Sequence, residues 1–118
     1  MTIKPKTRLT FISDENLPGA FGHGIALLME GVEQEHSLNR AAKRMGMAYS
    51  KAWRIIKEAE AQLGYELLAR DGARGSTLTP QGKRALEVYR SIQQEMDELL
   101  RRRAHELEAE SVFDDQGK

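Results

Sequence analysis

The chain of 118 residues contains no cysteine, which excludes a disulfide scaffold and thiolate metal sites and agrees with a reducing cytoplasm, the expected location. It contains no apolar run near the roughly 18 residues a membrane span requires, and the start from Met1 to Lys6 lacks the apolar stretch of a signal peptide. His23, His36 and His105 are scattered, with no pair at metal-ligand spacing. Neither a glycine-rich phosphate loop after a strand nor a nucleophile beside a plausible base is present. We therefore expect no enzyme, metal or cofactor. The formal net charge is zero, because 18 Lys and Arg balance 18 Asp and Glu, so overall charge names no partner. A length of this order corresponds to one domain with an extension.

The distribution of charge is more informative than its sum. Residues 1–36 hold three basic against five acidic residues, and residues 87–118 hold five against nine. The positive field therefore lies in the middle, and most sharply from Ser37 to Lys57, where Arg40, Lys43, Arg44, Lys51, Arg54 and Lys57 occur with no acidic residue.

Periodicity gives the order of elements. After a loose arm over residues 1–7, alternation from Arg8 to Ser13 predicts a short strand, which Asp14 to Pro18 break. Phe21, Ile25, Leu28, Met29 and Val32 form one apolar stripe of a helix predicted over Gly19 to Gln34. Ser37 is a natural N-cap for a second helix that buries Leu38, Ala41, Ala42 and Met45 and ends at Gly46. A third helix, Tyr49 to Gln62, turns Ala52, Ile56, Ala59 and Leu63 inward and closes at Gly64. The two glycines between Leu67–Arg70 and Ser76–Thr79 predict a small hairpin, a wing in this position. Thr79 and Pro80 then open a long helix expected to reach about Glu110.

At about 1.5 Å per residue that helix spans on the order of 45 Å, more than a domain of this size covers alone. Ala85, Tyr89, Ile92, Met96, Leu99 and Arg103 step along it as a heptad-like seam that Leu100 widens, and these residues are the expected homodimer interface. The expected division is a DNA-binding unit over 1–79, a pairing helix over 80–110 and a flexible charged tail over 111–118.

A helix-turn-helix whose second helix carries cations on its outer face is suited to a DNA groove. With the aliphatic stripe inward, Ser50, Lys51, Arg54 and Lys57 fall on the opposite side at spacings of three and four. Arginine and lysine suit guanine acceptors, and serine several partners. Tyr49 either donates to a phosphate or covers the turn between the helices. Trp53, beside the core stripe, is assigned to packing between helices rather than to stacking on a ligand. Ser37 and Arg40 open the second helix, where amides and the dipole attract a phosphate, although capping already accounts for Ser37. Arg74 at the wing tip and Arg70 at its base are placed for a minor groove or the backbone, against the plain alternative of a solvated loop.

The run from Ser37 through Gly82 resembles the winged helix-turn-helix domains of the LysR-type and ModE-type bacterial transcription regulators. SLNRAAKRMGMAYSKAW, with Tyr49 and the Ala52-Trp53 pair, is similar to the ModE helix-turn-helix. Ala61 to Gly64 and Leu67 to Arg70 resemble the LysR-type helix end and wing strand, and Leu78 to Gly82 the wing-to-helix junction of both. The segment Arg8 to Met29, with its Phe21-Gly22-His23-Gly24, resembles the start of the ModE domain, so the likeness covers about residues 8–103. It implies a mainly α fold with a small β-hairpin wing, a long C-terminal helix that pairs two subunits, and double-stranded DNA as partner. It also implies Ser50, Lys51, Arg54 and Lys57 in the groove and Arg74 on the wing. Full-length ModE-type members carry C-terminal molybdate-binding domains, and none is expected in this chain, so molybdate is not carried over. The expected function is a sequence-specific homodimeric transcription regulator, with a protein-interaction module or a nonspecific architectural DNA binder as rivals on the same fold.

Overall fold

Caps and breakers set the elements of the computed structural model, which describes residues 4–70, 72 and 75–107. They run in the order α1 (His23–Glu35), α2 (Leu38–Arg44), α3 (Tyr49–Leu63), β1 (Leu68–Arg70), β2 (Ser76–Leu78) and α4 (Pro80–Glu106). α1 begins later than Gly19 because Phe21 is held in an extended bridge, its N–H donating to the Phe11 carbonyl at 3.0 Å and its own carbonyl accepting from Phe11 at 2.7 Å. The strand expected from Arg8 to Ser13 reduces to that one bridge. Alternation alone does not make a strand when only one residue finds a partner. Gln62, buried on α3, holds the following loop: its Oε1 accepts from the Ser13 amide at 2.8 Å, and its Nε2 donates to the Leu17, Pro18 and Gly19 carbonyls.

α1 stops at His36, whose φ of 57° is left-handed and whose N–H returns to the Val32 carbonyl at 2.7 Å. One residue later the Ser37 hydroxyl accepts from the Arg40 amide at 3.1 Å, the expected cap of α2. Gly64, at φ 84°, closes α3 as expected. In the wing, Leu68 faces Leu78, Ala69 faces Thr77 and Arg70 faces Ser76. Two contacts fasten it. The Glu60 carboxylate on α3 accepts from the Leu67 amide at 2.8 Å, and the Ser76 amide donates to the His36 carbonyl at 3.0 Å, tying β2 to the α1–α2 junction. Thr79 joins wing to α4: its hydroxyl donates to the Glu66 carbonyl at 2.6 Å and accepts from the Gly82 amide at 2.9 Å.

Phe21, Leu28, Met29, Val32, Leu38, Ile56, Leu67 and Leu86 form the fully enclosed centre, each side chain contributing about 1.5–3 kcal/mol of burial. Two members of the expected dimer seam belong to this core instead. Ala85 and Tyr89 are buried within the chain, and the Tyr89 ring lies 5.7 Å from Phe11 and 5.5 Å from Phe21. The periodicity of α4 does not distinguish its first three turns, which lie on the domain, from those that project beyond it. Past Tyr89 the seam does emerge: Ile92 and Leu99 are 39% and 44% exposed, Met96 and Leu100 are half-buried, and Arg103 is exposed beside Glu106. Gln93 fixes the N-terminal arm to α4 by accepting from the Leu9 amide and donating to the Thr7 carbonyl. α4 ends at Glu106 rather than Glu110, with Leu107 as its cap. The expected tail over 111–118 lies outside the described residues.

Candidate nucleic-acid interface

α3 meets its neighbours through Ala52, Ile56 and Ala59, all fully enclosed, whereas Leu63 is only half-buried and Gln62 takes the inward place beside it. The opposite side of α3 is open. Ser50, Lys51, Arg54 and Lys57 are all exposed, as the helical spacing predicted. The wing brings Arg70 alongside them, so that Ser50, Trp53, Arg54, Lys57 and Arg70 line one depression of about 470 Å³. A second, of about 190 Å³, adjoins it through Arg70 and is lined by Ser37, Asn39, Tyr49 and Ser76 among others. Arg40 and Lys51 are exposed but line neither. Arg74 lies outside the described residues.

The cations are paired only loosely. Arg54 Nη1 reaches Glu58 Oε2 at 3.4 Å, with the two side chains 59% and 26% exposed. An i,i+4 pair of this kind is worth about 0.3–0.5 kcal/mol in water, little obstacle to exchanging carboxylate for phosphate. Lys57 Nζ lies 3.3 Å from Glu60 Oε1, while the other oxygen of Glu60 holds the wing strand. The sequence window from Ser37 to Lys57 is free of acids, but the fold draws these partners from just beyond it.

Two residues go beyond the sequence reading. Asn39 is a polar contributor to the smaller depression that a search for cations passes over. Trp53 is half-buried against the core, consistent with its packing role, yet it also presents its ring to the surface. The Arg70 guanidinium lies 4.8 Å and Lys57 Nζ 5.3 Å from its ring centroid, and Tyr49 meets it edge-on at 6.3 Å. Its indole Nε1 is buried with no hydrogen-bond partner among the described residues. Tyr49 is itself 42% exposed and lines the smaller depression.

The arrangement combines an exposed cationic helix, a wing beside it and a capped helix start in front. Comparison with known proteins gives the same picture. The sequence profile described as "Bacterial regulatory helix-turn-helix protein, lysR family" matches residues 27–83. The chain is similar to the molybdenum transport protein ModE of Herbaspirillum seropedicae, 30% identical over 107 residues, covering 86% of this chain and 40% of that protein. It is also similar to ModE of Azotobacter vinelandii, 34% identical over 84 residues, covering 68% and 31%. The chain thus spans two fifths or less of the curated relatives it matches. Among solved structures, a crystal structure of a CbnR_DBD–DNA complex superposes with a TM-score of 0.55 at 30% identity, covering 73% of this chain and 93% of that one.

Proposed function

We propose that this chain, whose residues 27–83 match the lysR-family helix-turn-helix profile, is a sequence-specific transcription regulator that binds double-stranded DNA as a homodimer. α3 enters the major groove and the wing lies on the minor groove or backbone. The observation that carries this reading is the convergence of Ser50, Arg54, Lys57 and Arg70 on one open face between α3 and wing. Arg54 and Lys51 have the reach to contact base edges. Lys57, Arg70 and the amides at the start of α2 supply phosphate contacts. The solved complex of a relative with DNA supports the same use of the fold.

The exposed strip of α4, from Ile92 through Met96 to Leu99, supports pairing with a second copy. Two copies then present two α3 helices to half-sites about one duplex turn apart. Affinity falls steeply with salt as phosphate contacts are lost to counterions. Selection of bound duplexes from a random pool near physiological salt, about 0.15 M, enriches a two-part motif. A pool that shows salt-sensitive binding without enrichment replaces this reading with nonspecific binding.

A further inference from the structure

Trp53 is the only tryptophan of the chain, and it stands where α3 and the wing meet. Its N–H has no hydrogen-bond partner among the described residues. What the ring holds is charge: the guanidinium of Arg70 at 4.8 Å and the ammonium of Lys57 at 5.3 Å, with Tyr49 against its edge. Arg70 closes β1 at the last paired position before the wing turn, so its backbone is fixed while its long side chain is exposed. Unsupported, such a side chain samples many rotamers and loses about 2 kcal/mol of entropy when it is immobilised. Stacked on an indole, the aromatic with the strongest cation attraction, it is held in the depression that Arg54 and Lys57 also line.

We propose that Trp53 is a positioning residue for DNA binding: its ring is the platform that holds the wing's Arg70 beside the recognition helix, so that the two elements present one contiguous set of cations to the backbone. A leucine at this position would keep an apolar contact with the core but offer no π face. The coupling rests on the DNA-binding reading above, whereas the stack itself exists in the free protein and is testable there.

Without DNA, the emission of the single tryptophan reports on the stack. Arg70→Ala raises the quenching of Trp53 by acrylamide, and Lys51→Ala, on the same helix but outside the depression that the ring lines, leaves it unchanged. With a selected duplex, Trp53→Leu removes no charge, yet it lowers the slope of log affinity against log salt by about one per half-site, about two for the homodimer, as Arg70→Ala does. Affinity falls by about 2- to 5-fold per half-site, the range of an exposed cation–π contact. Trp53→Leu combined with Arg70→Ala is no weaker than Arg70→Ala alone, and Trp53→Phe restores most of the slope. A purely structural role for Trp53 alters stability but not the slope, so a wild-type slope in Trp53→Leu, or losses that multiply in the double variant, overturns the proposal. If Trp53→Leu does not fold, Trp53→Phe and Arg70→Ala carry the test, and unchanged quenching in Arg70→Ala overturns the stack by itself. Failure of the unaltered chain to bind any duplex overturns the regulator reading, and the phosphate role with it, while the quenching result stands separately.

Discussion

Gly75 is the point at which the wing crosses the helix-turn-helix, and replacing it with alanine tests whether the two are one rigid unit. Its φ is +126°, and a Cβ built on it falls 2.1 Å from the His36 carbonyl oxygen and 3.7 Å from the Ser37 Cα. Both neighbours are backbone, so no flexible side chain can yield. That same oxygen accepts the Ser76 amide at 3.0 Å. A non-glycine residue in this region of φ costs about 1–3 kcal/mol, and losing the Ser76 bond adds about 1 kcal/mol. Gly75→Ala should therefore destabilise by about 2–4 kcal/mol, which at roughly 4 °C per kcal/mol for a domain of this size lowers Tm by about 8–16 °C. Gly72 is the control. Its φ is +56° with nothing among the described residues within 4 Å of an added Cβ, so Gly72→Ala carries only the left-handed strain of about 1 kcal/mol. Urea unfolding followed by far-ultraviolet circular dichroism compares the two. Equal losses, or a loss below about 1 kcal/mol for Gly75→Ala, would refute the close crossing of wing and helix junction.

Gln62→Leu keeps the bulk of the side chain but abandons its bonds to Ser13, Leu17, Pro18 and Gly19; the expected loss is about 2–3 kcal/mol, with faster proteolysis of the 13–19 loop, and wild-type cleavage there contradicts it. Tyr89 carries a buried hydroxyl without a partner among the described residues, so Tyr89→Phe should leave stability unchanged or raise it by about 1 kcal/mol at neutral pH. Burial raises the pKa of that hydroxyl, against a smaller lowering by Arg8. Its contribution is thus complete below the unfolded value of 10 and lost as pH rises above it, because the unfolded chain ionises first; Tyr89→Phe removes this part of the alkaline decline in unfolding free energy. Met96→Glu places a charge in the exposed strip of α4, and light scattering should then show the monomer mass where the unaltered chain shows a dimer; an unchanged dimer locates the interface elsewhere.

Most of the helix-turn-helix was legible because its boundaries are written in local chemistry. Ser37, Gly46, Gly64 and Thr79-Pro80 each satisfy or interrupt a helix end without help from distant residues. The outward side of α3 followed from the placement of Ala52, Ile56 and Ala59, since a helix has only one opposite face. What was not legible depends on long-range partners. The strand expected at Arg8 to Ser13 has a single pairing residue, Phe11, because the segment is held instead by side chains of α3 and α4. Ala85 and Tyr89 continue the heptad of α4, and only the position of Phe11 and Phe21 reveals that they are already covered. Trp53 was assigned to packing, and its surface role depends on a wing residue 17 positions away reaching its ring.

If the outer side of α3 reads base sequence, Arg54 is the residue on which to test it. Its guanidinium is exposed and, among the described residues, tied only to Glu58 on its own helix, so Arg54→Ala removes the proposed DNA contact without opening the core. The measurement is the affinity of Arg54→Ala for the duplex selected by the unaltered chain and for a scrambled duplex, at the same salt. The ratio between the two should fall by about 5- to 150-fold for each half-site, equivalent to the 1–3 kcal/mol of one bidentate base contact, while Arg102→Ala on the projecting part of α4 leaves it unchanged. A ratio that survives Arg54→Ala intact would contradict the account.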